Sequence, residues 1–230
     1  MSGLIDSATA VMRGSSARVD RAAVNVANAS TPGFKRQLRA GDADGFGATL
    51  ARVRVDLAAG KLVETGRPLD LAIGGPGFFE LRAGDRMVYS RQGNFTLDPE
   101  GKVVTPQGYV LQQAGGGDLV LDSAAVKIDA DGTVTDGDKP AGRIAVFGTA
   151  VPEDATPIDG SLFSIAGDAA EPLSTPSLRQ GATESSNVSL GDEMTSMMSA
   201  LRGAETGARL VQVYDDLMGK AIGTFGQVGR

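Results

Sequence analysis

Apolar and small residues recur every three or four positions near the start of the chain: Leu4, Ala8, Val11, Ser15, Val19, Ala22 and Val26, with Ile5, Met12 and Ala23 beside them. That spacing gathers them on one face of an α-helix, opposite Arg13, Asp20 and Arg21. Ser2 is placed to cap its start. Thr31-Pro32-Gly33 ends it, because Pro32 disfavours the helical conformation at Thr31 and Pro-Gly suits the centre of a type II turn. A second helical pattern covers 188–226. Leu190, Met194, Met197, Leu201, Ala204, Ala208, Val211, Met218, Ile222 and Phe225 keep heptad-like spacing, and Ser189-Leu190-Gly191-Asp192 resembles a capping box followed by the acidic Glu193. A helix of roughly 35 residues is long for a globular domain and usual for a coiled stem.

Between the helices the period changes to two. Leu71-Ala72-Ile73 reads as a short buried strand, and Gly74-Gly75-Pro76-Gly77 as a turn. Further strands are expected at 78–82, 87–91, 94–97, 102–105, 126–129, 133–135, 143–147 and 162–165, separated by Gly- and Asp-rich turns. Segment 41–47 reads as loop, 49–63 fits either strand or helix, and the Pro/Ser/Thr/Gly-rich segment 166–186 reads as an extended return. The expected fold is α+β: N- and C-terminal helices paired into a coiled-coil-like stem with an inserted small all-β domain, barrel or sandwich. The boundaries are 1–37 and 180–230 for a discontinuous stem, 38–70 for a connector, and 71–179 for the β domain and return segment. A stem made from both termini suits a chain that polymerises better than one that turns over a substrate. The stem residues expected at subunit interfaces are Leu4, Ile5, Ala8, Val11, Met12, Val19, Ala22, Asn25, Val26, Asn28, Met194, Met197, Met198, Leu201, Ala204, Ala208, Val211, Met218 and Ile222. As lone helices expose their apolar stripes, residues 1–36 and 180–230 are expected to order only on assembly.

Composition narrows the chemistry. The 230 residues contain no Cys and no His, which removes thiol nucleophiles, disulfides, zinc sites of the usual kind and imidazole acid–base catalysis. A net charge of −6 argues against nucleic-acid binding. No apolar run is long enough to span a bilayer, and the early Asp6 and short apolar runs do not make a cleavable secretion signal. Residues 1–40 hold six Arg/Lys and two Asp, a net +4, whereas 180–230 hold four Arg/Lys and six Asp/Glu, a net −2; the two ends would attract modestly. Gly74-Gly75-Pro76-Gly77 lacks the Gly-Lys-Ser/Thr ending of a phosphate loop. Asp129-Ala130-Asp131-Gly132 has its glycine at the wrong loop position for calcium. No carboxylate pair stands out among the 28 acids. No enzyme activity, metal, cofactor or small-molecule substrate is expected.

Three features stay open. The methionines 194, 197, 198 and 218 either fill a core or form an adaptable contact surface. Gly203 and Gly207 either weaken the helix, at about 1 kcal/mol each, or let another backbone approach. Asn25 and Asn28 either fix register through hydrogen bonds or face solvent.

Four segments in order resemble the bacterial flagellar rod and hook family. They are Asn25-Val26-Ala27-Asn28 with Thr31-Pro32-Gly33-Phe34-Lys35-Arg36; Leu71 through Gly75, Gly77, Phe78 and Phe79; Tyr89-Ser90-Arg91-Gln92-Gly93-Asn94-Phe95 with the stretch 101–112 that holds Gly108; and Ser186-Asn187-Val188-Ser189 with Glu193-Met194. Val24, Pro76, Leu201, Ala204 and Gly207 depart from the family pattern. The short connector after Arg36 is similar to that of proximal-rod members. The resemblance implies a structural subunit that polymerises, with itself and with neighbouring rod subunits, into the tube that serves as drive shaft. It also implies export through the flagellar type III apparatus and a place in the periplasmic rod. A distal-rod or hook-type subunit, or a secreted stalked β-domain oligomer, is the alternative.

Overall fold

The computed structural model describes residues 3–39, 53–137, 139–149, 155–165 and 169–227. The expectations for Ser2 and for the loop 41–47 lie outside these residues. Two helices, α1 (Gly3–Ala27) and α2 (Leu190–Gln227), form one unit with residues 1–27 and 189–230, and residues 28–188 form the other.

In the helical unit the contact is made by small side chains. Ala8, Ser15 and Ala22 of α1 are buried, seven residues apart, as are Glu193, Ala200 and Gly207 of α2. A Cβ added at Gly207 would lie 2.6 Å from Met12 Cγ and 3.3 Å from the Ala8 carbonyl oxygen, and one at Gly203 would lie 2.7 Å from Ser15 Oγ. Gly207 thus lies opposite the start of α1 and Gly203 one turn further along it, so the helices run antiparallel. Both glycines serve close approach.

The β unit begins with β1 (Gln37–Arg39) and β2 (Val53–Val55), an antiparallel pair, followed by β3 (Leu62–Glu64) and β4 (Leu71–Ile73). Next come β5 (Phe78–Ala83), β6 (Arg86–Ser90), β7 (Thr96–Leu97), β8 (Val103–Val104) and β9 (Val110–Leu111). A three-stranded sheet holds β10 (Val126–Ile128), β11 (Thr133–Asp136) and β12 (Lys139–Arg143). The last strands are β13 (Val146–Thr149), β14 (Ala155–Asp159), β15 (Leu162–Ile165), β16 (Ala170–Pro172), β17 (Leu178–Gln180) and β18 (Ala182–Glu184). The main sheet runs β14-β15-β6-β5-β9-β8-β7, with β13 and β16 joined through β5.

Alternation in β5 explains why this sheet is covered on both faces. Phe79 and Leu81 enter a core with Leu71, Phe95, Val103, Leu111, Val134 and Ile144, whereas Phe78 enters a second cluster with Tyr89, Phe163 and Ile165. Phe79 meets Phe95 edge-on at 5.4 Å between ring centres, and Phe78 meets Phe163 at 5.2 Å.

The expected fold class needs correcting. The β part is not a small insert: it is the larger unit, built mostly of sheet. The helices do not make a coiled-coil stem on the expected apolar stripes, because Ile5, Val11, Met12, Met194, Met198 and Leu201 are exposed while Ala, Ser and Gly fill the contact. The physical reason is separation. Backbones approach closely over Gly203 and Gly207, and Met12 meets bare backbone at Gly207 instead of a facing side chain. The return segment is also more than a connector, since it carries β16, β17 and β18.

On the sheet, Arg82 grips Asp118 with two hydrogen bonds of 2.9 and 2.7 Å, and Gln112 Nε2 donates a third at 2.9 Å. These bonds, Arg82 first, hold the Asp118 carboxyl down to about 2. A carboxylate whose folded pKa is depressed stabilises fully above its ordinary value near 4, and that contribution is lost as pH falls toward 2. Acidification from pH 5 to pH 2 is therefore expected to lower the urea midpoint of the native protein more than that of Asp118→Asn. Equal losses would show that the pair does not carry the acid sensitivity.

Candidate functional site

The expected interface residues divide cleanly in the structure. Ala8, Ala22 and Asn25 are buried in the helical unit; Val19, Val26, Met197, Ala204, Ala208 and Val211 are half-buried. Asn28 is half-buried at the start of the β unit, where its Oδ1 accepts a hydrogen bond from the Thr31 hydroxyl at 3.1 Å. Ile5, Val11, Met12, Met194, Met198, Leu201 and Met218 are exposed. Leu4 and Ile222 belong to α1 and α2, but their side chains lie outside the described residues.

Positions on α2 can be counted around its axis from the buried line Glu193–Ala200–Gly207, at about 100° per residue. Leu190, Met194, Met198 and Leu201, all about half exposed, form one row displaced by about 115° in the first half of the helix. Leu210, Val213 and Leu217, also about half exposed, form a second row displaced by about 105° the other way in the second half. Where the first row ends, its flank continues with Glu205, Gln212 and Asp216; before the second begins, its flank carries Asp192, Thr195 and Ser199. Two apolar patches thus lie on opposite sides of one helix and at different levels.

The motif residues converge within the β unit on a buried ionic centre. Glu184 stands between two cations: Lys35 Nζ donates to Oε1 at 2.7 Å and Arg91 Nε to Oε2 at 2.8 Å. All three side chains are at most 4% exposed. The Gly60 amide also donates to Oε1 at 2.7 Å, and Lys35 Nζ donates to the Ala58 carbonyl at 2.6 Å. Burial pulls Lys35 below its ordinary pKa even though Glu184 pushes the other way; taking the ammonium out of water outweighs its single carboxylate partner.

Arg91 Nη1 gives hydrogen bonds of 2.7 Å to the carbonyls of both Gly75 and Gly77 in the glycine turn, and Nη2 donates to the Ile73 carbonyl at 3.4 Å. The turn therefore presents oxygens to a guanidinium, the reverse of what a phosphate loop requires. Phe34 is buried beside this centre in sequence, and Phe78, Phe79, Gly93 and Phe95 are buried in the sheet and its flanking turn. Gly108 closes an exposed turn whose amide donates to the Thr105 carbonyl at 2.9 Å. Thr31 and Pro32 are half-buried ahead of Gly33.

Gly33 shows why a glycine is needed there. Its φ is +70°, and an added Cβ would fall 2.3 Å from the Arg91 carbonyl carbon, while its amide donates to the Glu184 carbonyl at 2.8 Å. Gly33→Ala is expected to cost at least about 3 kcal/mol, more than the 1–3 kcal/mol of a left-handed residue alone, because the obstruction is backbone. Thermal unfolding checks this; a change below about 1 kcal/mol would mean the turn rearranges freely.

Sequence patterning missed Glu184 and the work of Asn187. The Arg36 amide donates to Asn187 Oδ1 at 2.7 Å, and Asn187 Nδ2 donates to the carbonyls of Asp56 at 2.8 Å and Ala58 at 3.0 Å. Residues 33–36 and 180–187 are thus tied by hydrogen bonds into the β unit, not into the helical pair. The signal available was chemical: a lone Glu in a Thr/Ser stretch, with no apolar period.

A family model described as the flagellar hook protein FlgE/F/G D1 domain matches residues 72–136, and one described as the flagellar basal body rod FlgEFG protein C-terminal matches 179–224. The chain is 31% identical to the flagellar basal-body rod protein FlgF of Caulobacter vibrioides, over 91% of this chain and 92% of that one. It is 33% identical to FlgF of Salmonella typhimurium, over 86% and 88%. It is 28% identical to the rod protein FlgG of Bacillus subtilis, over 92% and 94%.

Proposed function

Because this chain belongs to the FlgE/F/G family of flagellar rod and hook proteins and is a FlgF-like structural subunit of the flagellar basal-body rod, we propose that it polymerises, with its own copies and with neighbouring rod subunits, into an open helical shaft. The observation that carries this reading is the pair of apolar rows on opposite sides of α2 at different levels. A two-fold dimer needs one self-complementary patch. Two different patches favour contacts between unlike surfaces, which propagate instead of closing. Exposed rows of this kind on a small helical unit mark association surfaces.

The role is mechanical, without catalysis, in the part of the basal body that crosses the periplasm. Delivery through the flagellar export apparatus follows from the same family reading. The test is an in-frame deletion in the source organism with imaging of isolated basal bodies. Rods that stop short, with hook and filament lost, are expected, and the stopping point distinguishes a proximal from a distal position. Complete basal bodies and normal swimming would overturn the assignment as an essential rod subunit.

A further inference from the structure

The ionic centre joins residues that are very far apart in the chain. Glu184 lies 149 residues after Lys35 and 93 after Arg91. Around it, 177–187 bonds to several separate stretches of the preceding chain. β17 pairs with β4 and β18 with β3. The Gly74 amide donates to Ser177 O at 2.6 Å, the Thr65 amide to Gly181 O at 2.8 Å, and the Gly33 amide to Glu184 O at 2.8 Å. Gln180 donates to the carbonyls of Pro68 and Val126 and accepts from the Ile128 amide.

The order of arrival matters. A chain made or threaded N-terminus first presents both cations long before their carboxylate. Collapse without Glu184 would bury an ammonium and a guanidinium with no counter-charge, which is costly enough to oppose collapse.

We infer that Glu184 is a closing key: the buried cations Lys35 and Arg91 hold the β unit open until the 177–187 segment docks, so the unit folds in one late step. Resting on the export route proposed above, the consequence is a chain that stays unfolded, and able to be threaded, until nearly all of the β unit has been delivered. Gln180 and Asn187 flank the key and fix its register through side-chain bonds to the early chain.

The experiment is refolding of the full-length protein with pulsed hydrogen exchange read by mass spectrometry. Amides in 71–73, 78–83 and 86–90 are expected to gain protection with the same rate as those in 178–184. Protection of the earlier strands in a faster, separate phase overturns the inference. The triple variant Lys35→Met, Arg91→Met, Glu184→Met removes the charges and keeps the strand pairings. In it, the early strands are expected to move ahead of 178–184 by about tenfold or more. Unchanged simultaneity in that variant would show that strand pairing, not charge, sets the order. The native-protein measurement decides the late step even if the variant fails to fold.

Discussion

Glu184→Gln is expected to cost the β unit about 3–5 kcal/mol, the usual penalty for removing one partner from a buried ion pair. The substitution keeps the shape, and its amide oxygen still accepts from Gly60, but it leaves Lys35 and Arg91 with no carboxylate at positions 2% and 4% exposed. Since domains of this kind have only about 5–15 kcal/mol to lose, the variant should be largely unfolded at moderate temperature. Asp129→Asn is the internal control. Its pair with Lys127 spans 2.8 Å but is 74% and 48% exposed, so water replaces the lost contact and no measurable change is expected. Denaturant curves of the two variants, followed by circular dichroism, give the comparison. Equal stabilities would remove the ionic centre from the account of the fold.

The second large effect concerns assembly. Leu201→Asp alters the first row of α2 and Val213→Asp the second, and both positions are exposed in the single chain, at 48% and 55%. Each variant should fold normally, because the carboxylate stays in water. Incorporation is expected to fall by at least about 100-fold, since a carboxylate buried at a contact costs several kcal/mol and each 1.4 kcal/mol is tenfold. Mixing the two variants separates unlike-surface contacts from a symmetric dimer. Each retains one intact row, so an equimolar mixture is expected to form pairs that cannot grow. Analytical ultracentrifugation reads this directly. Normal filament growth by either variant alone would show that these rows are not the contact.

About half of the strands of the β unit were readable, where side-chain alternation and turn chemistry agreed. Leu71-Ala72-Ile73 and 162–165 are strands with the expected bounds, and 78–82 extends by a single residue to Ala83. The expected strand 143–147 is instead the end of β12 and the start of β13, separated around Ile144 and Ala145. β12 itself, Lys139–Arg143, holds Pro140 and Gly142 and no apolar alternation; it is a strand because β11 offers it partners, which local propensity does not register. β17 and β18 were hidden for the same reason in a stretch rich in Ser, Thr and Pro.

On the helices, periodicity found the elements and, on α1, the buried positions Ala8, Ser15 and Ala22, but it gave their larger neighbours the same weight. Hydrophobicity favours Leu, Met and Val, whereas the contact is formed by Ala8, Ser15, Ala22, Ala200 and Gly207, residues with little hydrophobic weight and the least bulk. The ionic centre was half legible. Lys35 and Arg91 stand inside recognisable motifs, while Glu184 gains its meaning only from distant chain brought beside it.

The small-residue contact between α1 and α2 separates two kinds of selection within two helices, the 25 residues of α1 and the 38 of α2. Changes at Ala8, Ser15, Ala22, Ala200 or Gly207 alter the subunit itself, and bulk is the penalised property. Changes at Met194, Met198, Leu201, Leu210, Val213 or Leu217, all exposed in the single chain, are expected to leave the subunit intact and, on the assembly proposed above, to alter which neighbour it accepts. A lineage can therefore diversify the order of its shaft components by repainting the outer rows, without redesigning the pair of helices that carries them.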